Sequence, residues 1–353
     1  LYKDLTILHA NPIRYKSTFL ESQIHLKPYK LYNEQEVKET YRHLTGNRVF
    51  RVAEITFENI EGDTANGLNA IIQLEPFLKK TFTAELEGTT TAGNYGVAGV
   101  LTWALRNFFK GGEIVDFKIR GGLEAQANVQ SAGGIFNTFE VGTEVGINFP
   151  RFVLSGRFNQ QLPKRMEPKS RIYTSYSYQT RVEFERTILA VGLQYNWRES
   201  NTKFHQVNLV DINYVRLPRI DETYLNSLEF KTGFQDNLIM ATRYTFIYNN
   251  IKLTKARTAQ YFRGSIENSG AFLALLNSNQ TFSQDPETNQ YLALGVPYAQ
   301  YVKLDFDFRN FANLSAEHQV VTRAFIGTTI NYGNSPYLPP FEKSFFAGGS
   351  NDI

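Results

Sequence analysis

Five histidines, His9, His25, His43, His205 and His318, are the side chains best suited to ligate a transition metal or move a proton near neutral pH. Their separations match no metal-ligand spacing, and the chain has no cysteine to complete a site. Each is expected on a turn, at the surface or on a solvated polar face. Asp305 and Asp307 alternate with apolar residues, which puts both carboxylates on one face of a strand, where they could bind a cation. Lys303 and Arg309 share that face, so an internally neutralised, solvated charge row is the favoured account. The chain contains no Gly-x-Ser-x-Gly elbow and no phosphate-cradling glycine loop. These residues argue against an enzyme, and neither a cofactor nor a metal is expected.

The elements that must carry the polar residues are mostly strands. With 28 Phe and 20 Tyr beside 2 Met and 2 Trp, the composition favours pleated surfaces over helices. A net charge of +3, with its basic residues spread out, does not suit a nucleic-acid partner. No run reaches the roughly 18 apolar residues of a membrane helix. That leaves membrane strands open, because alternating strands read as mildly polar. Leu1 begins mid-pattern with no initiator Met or signal segment, so a further portion is expected upstream.

Residues 1–75 read as strand, helix, helix, hairpin. Leu5 and Ile7 begin a short alternation within Leu1–Ala10. Ser17 is a candidate cap for a helix carrying Leu20 and Ile24, and Asn33 caps a second helix whose shared face is Val37, Tyr41 and Leu44. Gly46 and Asn47 end it, and strands over Val49–Asn59 and Leu68–Leu74 follow around a glycine-bounded loop.

After Pro76 the texture changes to long alternating segments separated by Gly, Asn and Pro turns. They run near 80–91, 94–107, 112–127, 137–150, 170–181, 183–199, 202–217, 238–250, 257–268, 290–310 and 314–331. In the clearest one, Leu304, Phe306 and Phe308 oppose Lys303, Asp305, Asp307 and Arg309. A soluble sandwich alternates too. Several of these segments exceed the roughly 9–11 residues that span hydrocarbon, and tight connections such as Glu199–Thr202 alternate with long ones such as 269–289. Tyr176, Tyr178, Tyr195, Trp197, Tyr244 and Tyr248 fall near segment ends, where an interfacial aromatic girdle sits. The expected class is therefore mainly β: an antiparallel transmembrane β-barrel, preceded by one small α+β domain.

Four stretches, in order, resemble the BamA/TamA superfamily of POTRA-containing outer-membrane barrels. Leu44-Thr45-Gly46-Asn47-Arg48-Val49-Phe50-Arg51-Val52 looks like a POTRA turn in which a leucine and glycine precede a buried Phe, and a generic α+β module is the alternative there. Leu78–Gly88 resembles the first barrel strand, and Leu105–Glu113 the turn between the second and third strands. The terminal Phe345-Phe346-Ala347-Gly348-Gly349-Ser350-Asn351-Asp352-Ile353 is similar to the start of a loop that folds into the barrel after the eleventh strand. The wording of that last stretch is nearer the TamA-like branch, including Bacteroidota TamL-like lipoproteins, than BamA itself.

The resemblance implies a POTRA domain over 1–76 and the N-terminal part of an outer-membrane barrel over 77–353. The family's barrel has about sixteen strands, so about five more are expected after Ile353, together with the loop's Arg. The implied function is insertion or export of client proteins by β-strand addition at a lateral seam. Its first strand would use Lys80, Phe82, Thr83, Glu85, Glu87, Gly88 and Thr90. The inward loop would use Phe345, Phe346, Gly348, Gly349 and Ile353, and a POTRA edge Val52, Ile55 and Phe57. Implied partners are outer-membrane lipids, unfolded barrel or autotransporter clients, and a periplasmic or inner-membrane assembly protein. A BamA-type general insertase, a two-partner secretion pore and a passive porin are the alternatives.

Overall fold

The strand Tyr301–Asn313 states the rule by which most of the chain is built. Asp305 and Asp307 are 8% and 4% exposed, while Phe306 and Phe308, between and after them, are 46% and 41% exposed. Charges on the covered face and rings on the open face invert the pattern of a water-soluble sheet.

The computed structural model describes residues 5–9, 14–60, 67–91, 94–125, 136–154, 163–227, 234–251, 257–315, 317–335 and 339–345. Contacts divide the chain into two units. One gathers residues 1–82 with 103–116 and 147–170, and the other holds the remainder.

In the first unit, α1 (Ser17–Gln23) and α2 (Glu34–Gly46) precede a hairpin of β1 (Phe50–Asn59) and β2 (Leu68–Pro76). The core is Phe19, Leu44, Val49, Phe50 and Ala53, with the Phe50 ring 5.0 Å from Tyr15. Three details depart from the sequence reading. Leu5 makes only a bridge, and Thr6–His9 are irregular. Lys16 is the residue before α1, and no side chain caps that helix, so Ser17 is its first helical residue instead. The covered face of α2 is Thr40, His43 and Leu44, while Tyr41 is exposed. Thr40 fits that face because its hydroxyl donates to the Glu36 carbonyl and accepts from the His25 N–H. The Asn33 cap is as read: its side-chain oxygen accepts from the Gln35 N–H at 2.9 Å.

Eleven strands form one antiparallel sheet. They are β3 (Lys80–Thr91), β4 (Asn94–Arg106), β5 (Ile114–Ala125), β6 (Thr138–Phe149), β7 (Lys169–Thr180), β8 (Phe184–Arg198), β9 (Lys203–Ile220), β10 (Asn237–Asn249), β11 (Thr258–Ser269), β15 (Tyr301–Asn313) and β16 (Gln319–Asn331). Neighbours in sequence are neighbours in the sheet, and β3 and β16 are its edges. Every alternating segment read from the sequence is present, with one correction. Residues 290–310 are not one strand: β13 (Tyr291–Ala293) and β14 (Val296–Pro297) form a small separate sheet with β12 (Ser283–Gln284). Leu294 and Gly295 both have positive φ, which gives the tight two-residue hairpin that breaks the run.

A bulge sets the inward row of β9. Ala241 pairs with Asp211 but Arg243 pairs with Asn208, so β9 carries one extra residue there. His205 lies opposite Phe246 on the outward face, and beyond the bulge Asp211 turns to the covered polar face. Without the bulge, Asp211 would face outward.

Candidate functional site

The edge strand β3 holds the residues assigned to a seam. Phe82 is 66% and Leu86 81% exposed, Glu85, Glu87 and Gly88 are also open, and among the described residues β4 is the sole sheet neighbour of β3. Such an edge presents backbone donors and acceptors to a further strand. Val52 is exposed, whereas Ile55 and Phe57 are half-buried on the opposite face of β1, where Phe57 meets the Tyr32 ring edge-on at 5.1 Å. Among the named strands of the described residues, β1 pairs with β2.

The polar face of the large sheet carries a second constellation. Glu267 on β11 is fully buried and accepts from the Tyr301 hydroxyl at 2.6 Å and from the Arg243 guanidinium. Asp305 pairs with Arg263 at 3.1 Å and with the Ser265 hydroxyl. Asp307 takes both Arg309 and Arg323, at 2.8 and 3.0 Å. Asp305 and Asp307, the candidate cation ligands, are thus engaged by guanidinium groups. Arg309 was identified from spacing, Arg263 and Arg323 were not, and Lys303 plays a different part.

After β16 the chain returns across this face. Asn334 is clamped by backbone: its side-chain amide donates to the Tyr291 and Tyr298 carbonyls at 2.9 and 3.0 Å, and its side-chain oxygen accepts from the Tyr291 N–H at 2.7 Å. Further on, Glu342 meets Arg186 at 3.2 Å, and the Lys343 ammonium lies 3.1 Å from Glu267 and 3.4 Å from Asp211. Lys303 donates to the Lys343 carbonyl at 2.7 Å and lies 4.0 Å from the centre of the Phe345 ring. That ring rests where a Cβ on Gly327 would sit. Phe346, Gly348, Gly349 and Ile353 lie outside the described residues.

Histidines supply the clearest correction. His25 and His43 are not dispersed surface groups: both are buried, with Nε2 of His25 and Nδ1 of His43 3.1 Å apart. Glu39 lies 3.5 Å from His25, and Glu167 lies 3.3 Å from His43. Burial, then the neighbouring His43, lowers the His25 pKa to about 4. His205 stacks on Trp197 at 4.9 Å, and His318 meets the Ser315 hydroxyl at 2.9 Å. Among the described residues, no three His, Cys, Asp or Glu side chains gather as a metal site.

The same unit explains the turn Asn107–Glu113. Lys16 donates its N–H to the Lys110 carbonyl at 2.7 Å, and Asn107 donates to the Arg14 carbonyl at 2.8 Å. The Arg106 guanidinium donates to the Arg48 carbonyl at 3.1 Å. Lys164 donates to the Glu21 and Ile24 carbonyls that end α1. The sequence marked this turn by its glycines but gave no sign of what it holds.

The architecture defines a class: a mainly β chain with a long antiparallel sheet whose apolar face is the open one. It is similar to the solved structure of BamA from Haemophilus ducreyi lacking POTRA domains 1–3, with a TM-score of 0.58 at 12% identity. The match covers 96% of this chain and 57% of that one, so this chain spans little more than half of that structure. CdiB from Acinetobacter baumannii also matches, with a TM-score of 0.35 at 11% identity, over 93% of this chain and 69% of that one. At these identities the first likeness shows the fold. No family model matches the sequence, and no curated protein does.

Proposed function

We propose that this chain belongs to an outer-membrane protein of the BamA/TamA superfamily that inserts or exports clients through a lateral seam. Residues 1–76 would be a periplasmic POTRA domain and residues 77–353 part of the barrel. The observation that carries the reading is the inverted sheet, with Asp305, Asp307 and Glu267 covered and Phe306, Phe308 and Ile266 open. In water the open face would cost about 25 cal/mol for each Å² left exposed, and in lipid it is the required surface. Because hydrocarbon offers no partner to an unpaired strand edge, the eleven strands are proposed to close with further strands in the whole protein.

The seam is assigned to β3, whose one-sided pairing suits addition of an incoming client strand. Outer-membrane lipids, unfolded barrel or autotransporter clients, and an assembly partner on the N-terminal domain are the proposed partners. Guanidinium neutralisation of the inward carboxylates supports a non-catalytic role.

A TamA-like role is favoured by the terminal Gly348-Gly349-Ser350-Asn351-Asp352-Ile353 wording. A BamA-type general insertase is the second reading, named after the protein whose fold this chain shares. Depletion followed by a profile of outer-membrane proteins separates them. A narrow defect supports the TamA-like role, loss of most barrel proteins supports the insertase, and an unchanged profile overturns both.

A further inference from the structure

We propose that Lys343 is a releasable latch: it positions the segment after β16 on the polar face of the sheet, and its seat remains satisfied when it leaves. The geometry separates a fixed end from a movable one. At Asn334 the partners are the backbone N–H and carbonyl of Tyr291 and the carbonyl of Tyr298. Withdrawing Asn334 would strand those backbone groups without a hydrogen-bond partner, so this end stays put.

The Lys343 end has the opposite character. Once the ammonium departs, Glu267 keeps the Arg243 guanidinium and the Tyr301 hydroxyl. Asp211 keeps the Asn213 side-chain amide at 2.9 Å. Arg186, released from Glu342, keeps the Gln179 side-chain oxygen at 2.9 Å. No buried charge is orphaned, so the usual reason that broken buried ion pairs are prohibitive does not apply. The freed Lys343 and Glu342 gain water. Lys303 loses most on release, because both the Lys343 carbonyl and the Phe345 ring leave it. Its charge therefore biases the strap towards the docked position.

The latch stands on these contacts, and its use in handling clients rests on the function proposed above. The test is the labelling rate of a reporter cysteine at Ser344 (Ser344→Cys) with a membrane-impermeant maleimide. It is made on the full-length protein in lipid vesicles, with folding checked by heat-modifiable gel mobility. Lys343→Met is expected to raise the rate about tenfold, Lys343→Arg to leave it near the parent value, and Arg243→Met not to raise it, since Lys343 is then the ion-pair partner left to Glu267 beside the Tyr301 hydroxyl. Equal labelling in Lys343→Met and the parent overturns the latch. So does an Arg243→Met rate matching that of Lys343→Met, which would mean general loosening. Labelling requires no client, so failure of the latch and failure of the functional reading are seen separately.

Discussion

The ring of Phe19 occupies the place of the side chain that Gly112 lacks: a Cβ on Gly112 would lie 2.4 Å from the ring's Cε2 and Cζ atoms. Gly112 also has φ +77°, so any other residue would be strained there even in open space. One glycine therefore lets the turn after β4 accept the helix α1.

Gly112→Ala is expected to cost about 1–3 kcal/mol, through both overpacking and backbone strain. Hydrogen exchange is expected to report that loss in α1 and in the 107–113 turn together, while amides in β15 stay protected. Equal protection in variant and parent would show that the ring is not held by this contact.

Acid is expected to loosen the N-terminal helices. His25 has its pKa lowered from 6.5 to about 4 in the folded chain, so unfolding takes up a proton between those values. Its contribution is complete above pH 6.5, declines as pH falls, and is lost below about 4. Glu39 opposes the shift, while His43, Lys164 and Arg42 reinforce it. Amide protection of α2 measured from pH 7 to 4 is expected to fall in the parent, and to fall less in His25→Gln. The same decline in both would assign the acid sensitivity to other groups.

Phe308 and Arg309 are adjacent on β15 yet face opposite environments. Phe308→Arg is expected to cost about 2–4 kcal/mol of folding into lipid vesicles if the residue lies near the bilayer midplane, and Phe308→Leu far less. Urea titration of the vesicle-bound protein makes the comparison. Equal stability of the two variants would place Phe308 away from lipid.

Much of this was legible in the residues. Alternation located all eleven strands of the sheet, because a face of one polarity must repeat every second residue wherever the strand sits. It over-extended the tenth segment because Tyr291–Ala293 and Val296–Pro297 alternate too, and only the paired positive φ at Leu294 and Gly295 separates them from β15. The cross-strand partners were not readable: Arg263 and Arg323 meet Asp305 and Asp307 through register, which local spacing does not encode. Nor was the His25–His43 pair, whose members are brought together by packing of the segment after α1 on α2. Lys343 carried no signal beyond being a charge in a proline-rich turn.

The seam on β3 is the central claim, and a disulfide tests it most directly. A cysteine replacing Thr83, paired with one in the final strand of the full-length barrel, would lock that edge. The expected result is arrested outer-membrane assembly of clients that recovers on reduction. Unchanged assembly and growth with the bond fully formed would contradict it.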